Sequence, residues 1–270
     1  MTDQEIRERM AQFKFYHIIP LTETISTPGN TLYVPAQQLY LKYLRSLDLQ
    51  GKRVLDIGCR DGLFSFEAEK QGAAEVIGID NDLSKPAVEF LIPFFQSRVK
   101  MEQMNLYDLQ PAAFGLFDVI LFPGVLYHLR YPFWALRIIR ELLNKDGILL
   151  IETAVWNREK NNSLLFCPTG KESPYEPSSC TFFNVKALAD TLSVLGFEVL
   201  SHECLPAKKS WSAWRKESAG RLHYLFTGRQ RPIRDVTRCV MTARFAGIDK
   251  ESRYLQYWES THAIHSKIGG

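Results

Sequence analysis

The groups best suited to chemistry are concentrated between Arg53 and Asp80, in the string RVLDIGCRDGLFSFEAEKQGAAEVIGID. A short apolar run (Val54, Leu55, Ile57) stops at a turn holding Gly58 and Gly62, and a second run (Val76, Ile77, Ile79) ends on Asp80. Gly58 can take positive φ and lets backbone approach a ligand without a Cβ in the way. Gly62 lets the start of the following helix pack close to the first strand. The backbone N–H groups from Cys59 through Arg60 to Gly62 fall near a helix start, where they are free to bind a carboxylate. Asp56, just ahead of the turn, suits an ammonium group. Asp80, with Asn81 beside it, is placed to accept from two ribose hydroxyls. The spacing excludes a dinucleotide, which needs G-x-G-x-x-G to seat a pyrophosphate. Here Arg60 stands at the middle glycine position, and Asp56 would repel the phosphates.

A carboxylate, an ammonium and a ribose on one ligand describe S-adenosylmethionine. Methyl transfer from it is an in-line displacement in which the protein mainly aligns nucleophile, methyl and sulfur. A hydroxyl nucleophile gains from a base that titrates near neutrality. His128, in FPGVLYHLRYP, is the candidate base, with Tyr127 as a positioning or cofactor contact. The alternative makes His128 a structural residue bonded to its own loop. Asn105, after a third strand, is assigned to adenine, with the Leu106 backbone beside it. His17 and Glu152 are further site candidates, for which packing or capping is an equal explanation.

These residues need a frame, and the chain alternates short apolar runs with helical spacings. Thr2 and Glu5 form a capping box for a helix over residues 2–15, with Ile6, Met10 and Phe13 on one face. The Pro-, Thr- and Gly-rich segment YHIIPLTETISTPGNTLYVP either folds over the ligand as a cap or buttresses the sheet as a surface loop. Helices are predicted over 37–47, 84–96 (interrupted near Pro93), 132–143 and 184–195. Strands are predicted over 99–104, 117–122, 148–152, 197–204 and 236–243. This order argues for an α/β, doubly wound, mostly parallel sheet. The divisions are an N-terminal cap segment (1–46), a main domain (47–244) with insertions at 155–182 and 205–235, and a tail (245–270). The 155–182 stretch is too long for an ordinary connection and is read as an insertion over the site.

The motifs DIGCRDG and GID resemble those of the class I S-adenosylmethionine-dependent methyltransferases, whose glycine loop reads D/E-x-G-x-G-x-G. The chain departs from that pattern at Arg60. FPGVLYHLRYP, together with ETAV at 152–155, is similar to the subgroup that modifies 5-hydroxyuridine at the tRNA wobble position. The resemblance runs from about Leu47 to Arg244 and implies a Rossmann-like sheet of seven strands whose last strand is antiparallel. It also implies that Pro123 and Tyr127 line the cofactor. It matches Arg238, in RCVMTAR, to an arginine that holds the extra carboxylate of carboxy-S-adenosylmethionine. TPGNTLYVPAQQ lacks the Trp and Lys those enzymes carry upstream, and there is no room for their longer N-terminal domain. Ordinary S-adenosylmethionine and methyl transfer are therefore expected.

Composition narrows the partners. Hydrophobic residues make up 46% and charged residues 23% of 270, and the net charge of +3 gives no global pull toward a polyanion. Five cysteines without a C-x-x-C pair suit reduced thiols and supply no metal site. No apolar run reaches membrane-spanning length and the first residues are charged, so a cytoplasmic enzyme without membrane association is expected. A basic, aromatic stretch from Lys208 to Arg234, with Trp211, Trp214 and Tyr224, either grips a phosphate or base or is a solvated face. The favoured acceptor is a small hydroxylated molecule, a sugar or secondary metabolite. The alternatives are tRNA as acceptor, or a cofactor-binding protein without catalysis. Oligomeric state is left open.

Overall fold

The computed structural model describes residues 1–157, 159–206, 236–248 and 257. Its centre is a seven-stranded sheet built from β1 (Arg53–Ile57), β2 (Glu75–Asp80), β3 (Lys100–Gln103), β4 (Phe117–Pro123), β5 (Leu143–Trp156), β8 (Phe197–Cys204) and β9 (Val236–Phe245). The order is β3-β2-β1-β4-β5-β9-β8; the first five strands are parallel and β9 runs antiparallel to both of its neighbours. A separate two-stranded sheet pairs β6 (Leu165–Phe166) with β7 (Phe182–Phe183). This is the expected doubly wound architecture.

Two cores lie on opposite faces because successive strand residues point to opposite sides. Leu55, Ile57, Ile120 and Phe122 face one core with Leu136 and Ile139 of α6 (Pro132–Glu141) and Leu188 and Leu192 of α7 (Val185–Val194). Val54, Val119 and Leu121 face the other with α1 (Asp3–Met10), α2 (Val34–Leu44) and α3 (Leu63–Lys70), through Ile6, Leu39 and Phe64. Each such fully buried side chain contributes about 1.5–3 kcal/mol. Tyr40 of α2 is buried too, and its hydroxyl donates to the Leu150 carbonyl at 2.9 Å.

The capping box forms as predicted: Thr2 N–H donates to Glu5 at 2.7 Å and Glu5 N–H to Thr2 Oγ1 at 3.3 Å. The helix nevertheless ends at Met10 rather than near residue 15. The helix predicted over 84–96 is a wide π turn (Ala87–Leu91) followed by the short α4 (Ile92–Phe95). Pro93 explains the break, because it lacks an N–H and its ring crowds the preceding turn. One further short helix, α5 (Pro111–Phe114), precedes β4. The fifth strand starts earlier than predicted, at Leu143, but its register with β4 breaks between Leu143 and Ile148, where Asp146, at φ 65°, and Gly147 turn the chain into the predicted run from Ile148. At its other end Val155 and Trp156 pair with Thr237 and Val236, so the insertion starts after Trp156. The basic stretch from Lys208 to Arg234 and the tail residues Tyr254, Leu255 and Trp258 lie outside the described residues. Among the described residues no helix is long and apolar enough to cross a membrane, and no His/Cys/Asp/Glu cluster could hold a metal ion.

Candidate active site

Strand order reverses between β1 and β4, which opens a crevice at the carboxyl ends of the parallel strands. A cavity of about 570 Å³ occupies it, and residues after β1, β2, β3, β4 and β5 converge there. Of the residues singled out in the sequence, Gly58, Arg60, Asp80, Asn81, Asn105, Leu106, Pro123, Tyr127, His128, Glu152, Arg238 and His17 line this cavity.

The glycine turn is built from left-handed backbone. Gly58 lies at φ +80°, and a Cβ there would come within 2.3 Å of Val125 Cγ2. Gly62 lies at φ +82° and caps the start of α3. Arg60 takes φ 45° without being glycine, a conformation costing about 1–2 kcal/mol. Its contacts offset that cost. Its N–H donates to Asp80 Oδ2 at 3.1 Å, its guanidinium pairs with Asp82 at 2.9 Å, and it lies 5.5 Å over the ring of Tyr16. Asp80 also accepts from Asp82 N–H at 2.9 Å. Burial raises the Asp80 carboxyl above the ordinary carboxylate range, while these two N–H groups and Arg60 pull it down.

Three predicted contacts lie behind the cavity wall instead. Asp56 is fully buried, its Oδ2 accepting from Ser65 Oγ at 2.6 Å, and burial pushes its carboxyl up to about 7. Its side chain turns from β1 toward α3 and does not line the cavity, which corrects its expected meeting with an ammonium. Cys59 is buried against Gly78, and Gly62 packs against Met101 and Phe66, so both shape the turn from beneath.

On the far side of the cavity the turn Leu126–His128 follows β4, and the insertion is clamped onto it. Cys180 and Thr181 N–H donate to the Tyr127 carbonyl at 2.9 and 3.1 Å, and Thr181 Oγ1 donates to the Leu129 carbonyl at 2.6 Å. This brings Glu176 to 3.2 Å from His128 Nε2. Burial holds the imidazole below its usual pKa, and the Glu176 carboxylate acts in the opposite direction. Arg238 forms a two-pronged ion pair with Glu152 and donates to the hydroxyls of Tyr127 at 3.2 Å and Tyr175 at 2.9 Å.

The N-terminal segment closes the remaining side. Tyr16 and His17 N–H groups both donate to Asp61 Oδ2, and Ser84 Oγ donates to Asp61 Oδ1 at 2.6 Å. Tyr16 stacks on Tyr33 with centroids 5.4 Å apart, and both rings line the cavity. Of the same segment, Tyr16, His17 and Tyr33 line the cavity while Ile19 and Ile25 are buried in the core beneath it. His17 is 4% and Gln37 8% exposed; both line the cavity, and His17 Nδ1 and Gln37 Nε2 are buried without a hydrogen-bond partner among the described residues. Sequence reasoning missed Tyr16, Tyr33 and Glu176, which stand in the segments with least pattern, and Gln37, which stands in α2. A polar residue on the apolar face of α2 is the one available signal, for Gln37.

A methyltransferase domain family model matches residues 34–202. Among curated relatives, the tRNA U34 carboxymethyltransferase of Helicobacter hepaticus is 30% identical over 166 residues, covering 57% of this chain and 51% of its own. The protein of the same name from Photobacterium profundum is 34% identical over 156 residues, covering 55% and 45%. The chain thus spans about half the length of the curated relatives it matches. In overall structure it is similar to the N-terminal domain of EvdMO1 with SAH bound (TM-score 0.64, 17% identity, 91% of this chain and 98% of that one). The same domain has been solved in the presence of SAH and D-fucose (TM-score 0.62, 17% identity, 91% and 97% covered). A Burkholderia thailandensis 1,6-didemethyltoxoflavin-N1-methyltransferase follows, with TM-score 0.52, 20% identity and coverage of 80% and 79%. The shared sheet order alone would establish only a fold, but the family model spans the glycine turn, Asp80, Asn105 and the turn carrying His128. The chain belongs to the methyltransferase domain family.

Proposed function

We propose that this protein transfers the methyl group of S-adenosylmethionine to a hydroxyl of a small acceptor such as a sugar. When bound, that cofactor supplies an electrophilic sulfonium methyl. The observation that carries the reading is the convergence on one cavity of a nucleoside-type half and an acceptor-type half. Asp80 and Asn81 at the end of β2 suit ribose hydroxyls, and Asn105 with the Leu106 backbone suits adenine. Opposite them, His128 is held beside Glu176 with a depressed pKa, so the imidazole is neutral at pH 7 and able to take a hydroxyl proton. Tyr16, Tyr33 and Tyr127 line the cavity with rings and hydroxyls, a surface suited to a sugar ring. The EvdMO1 domain solved with D-fucose supports the same acceptor class.

A second reading, wobble-uridine carboxymethyl transfer to tRNA, is favoured by the names of the curated relatives and by the presence of Arg238. Against the carboxylated cofactor stands the occupation of that guanidinium. Glu152 already neutralises Arg238, and a ligand carboxylate would meet the Glu152 charge.

The test is incubation with methyl-labelled S-adenosylmethionine and either a panel of free sugars and hydroxylated metabolites or unmodified tRNA. Label is expected in a small molecule, with a rate little changed by added salt. Label in tRNA, lost steeply as salt rises, would replace this reading with the second. Cofactor binding without transfer to any acceptor would leave a binding protein.

A further inference from the structure

We infer that Cys204 and Cys239 form a redox-sensitive dithiol, which a hydroperoxide converts to a disulfide that locks β8 onto β9. The site is separate from the cavity, which neither cysteine lines.

The ladder sets the two side by side although they are far apart in sequence. Cys204, the last residue of β8, lies directly opposite Cys239 of β9. Beyond it the Leu205 N–H donates to the Arg238 carbonyl at 2.8 Å, so Leu205 and Arg238 are the adjoining, hydrogen-bonded pair. Hydrogen-bonded and non-hydrogen-bonded pairs alternate along an antiparallel ladder, which makes Cys204 and Cys239 a non-hydrogen-bonded pair. The Cα atoms of such a pair stand about 4.5 Å apart with their side chains on one face, inside the ~4.4–6.8 Å that a disulfide spans. The two side chains do meet, the Cys239 S–H donating to the Cys204 sulfur. Cys59, Cys167 and Cys180 lie outside the strands.

The sulfurs differ in role. Cys239 is 1% exposed, whereas Cys204 is half-buried. The bond from Cys239 and the charge of Lys160 hold the Cys204 thiol below its ordinary pKa, against burial and Glu203. The same bond, with burial, holds Cys239 above its own. A thiolate is the attacking species, so Cys204 attacks and Cys239 resolves. The Cys204 thiolate takes one peroxide oxygen as the O–O bond breaks, giving a sulfenic acid and a hydroxide or alkoxide, which recovers the proton Cys204 gave up. The Cys239 sulfur then attacks the sulfenic sulfur. An S–S bond forms, the S–O bond breaks, and the leaving hydroxide carries off the Cys239 proton as water. The two thiols are oxidised and the peroxide is reduced. The bridge is a covalent rung beside Arg238, and it closes a ring of chain from 204 to 239.

The full chain, reduced and then freed of reductant, is treated with hydrogen peroxide, alkylated and digested without reduction for mass spectrometry. A peptide pair joined through Cys204 and Cys239 is expected, absent before peroxide and lost again with dithiothreitol. Scanning calorimetry is expected to place Tm of the oxidised protein roughly 5–10 °C above that of the reduced one, because the bridge restricts the unfolded chain. Cys204→Ser should remove both the joined peptides and the Tm difference. Cys239→Ser should leave Cys204 as a sulfenic acid that dimedone captures. Where a serine variant folds poorly, the peptide map of the unaltered chain decides. Alkylation of both thiols after peroxide, a bridge joining any other pair of cysteines, or equal Tm in the two forms would overturn the inference.

Discussion

Arg238 of β9 and Glu152 of β5 meet as a two-pronged ion pair although they are not register partners: Glu152 lies opposite Val240, and Arg238 opposite Ala154. The diagonal contact turns both side chains toward the cavity, where two tyrosine hydroxyls take further N–H groups of Arg238. The pair is nearly out of solvent, with side-chain exposures of 14% and 4%. A buried pair of this kind contributes less through its attraction than it costs when one partner is removed.

Glu152→Gln is accordingly expected to destabilise the fold by about 3 kcal/mol, because it leaves the Arg238 charge without its counterion. Urea unfolding checks the loss. The same change frees the guanidinium, so affinity for carboxy-S-adenosylmethionine should rise roughly tenfold relative to S-adenosylmethionine. An unchanged ratio in calorimetry would show that Glu152 does not set this preference.

Asp80 joins the end of β2 to the glycine turn through Arg60 N–H and Asp82 N–H while facing the cavity. Asp80→Ala should weaken cofactor binding by roughly 1.5–3 kcal/mol. Because the ribose is common to S-adenosylhomocysteine and 5′-methylthioadenosine, the two ligands should lose affinity equally in titration calorimetry. Unchanged affinity would reject the ribose assignment.

His128→Ala is expected to lower turnover by about 10²–10⁴-fold with cofactor affinity within about twofold. The pH dependence carries a sign that can be checked. Burial lowers the His128 pKa and Glu176 raises it, so the neutral base persists below pH 6.5 and activity falls only at more acidic pH. Glu176→Gln removes the raising influence, and the acid limb of the kcat profile should move to still lower pH. A limb that moves upward, or stays in place, would separate Glu176 from the base.

Gly58→Ala meets two obstacles, the left-handed φ of +80° and the Val125 methyl 2.3 Å from the new Cβ. Together they should cost about 2–4 kcal/mol in urea unfolding. Val125→Ala in the same chain should recover the steric part and leave the backbone part, about 1–2 kcal/mol. Full recovery would mean that the backbone conformation costs nothing there.

Local interactions made part of this protein legible from its residues alone. The capping box at Thr2, the alternation that splits Val54 from Leu55 between two cores, and the glycine turn leading to Asp80 depend on neighbours a few residues away. Arg60 shows how far a motif tolerates departure: a non-glycine holds the left-handed turn because Asp80, Asp82 and Tyr16 compensate it. Asp56 shows where motif reading fails. It adjoins the turn in sequence, but its place in β1 directs its side chain back toward Ser65 of α3 instead of toward the cavity edge.

What the tertiary structure alone decided is the half of the cavity assembled from distant segments. Glu152 and Arg238 are 86 residues apart, and Glu176 reaches His128 because an insertion without helical or strand periodicity is pinned to the Tyr127 backbone. His17 reaches the cavity because a segment rich in proline and threonine folds back over Asp61, and Gln37 lines it from α2. No repeat or spacing encodes such meetings. They follow from strand order and chain closure, which arise from the packing of the whole sheet, whereas the turn and its aspartate follow from steric limits within a single βαβ unit.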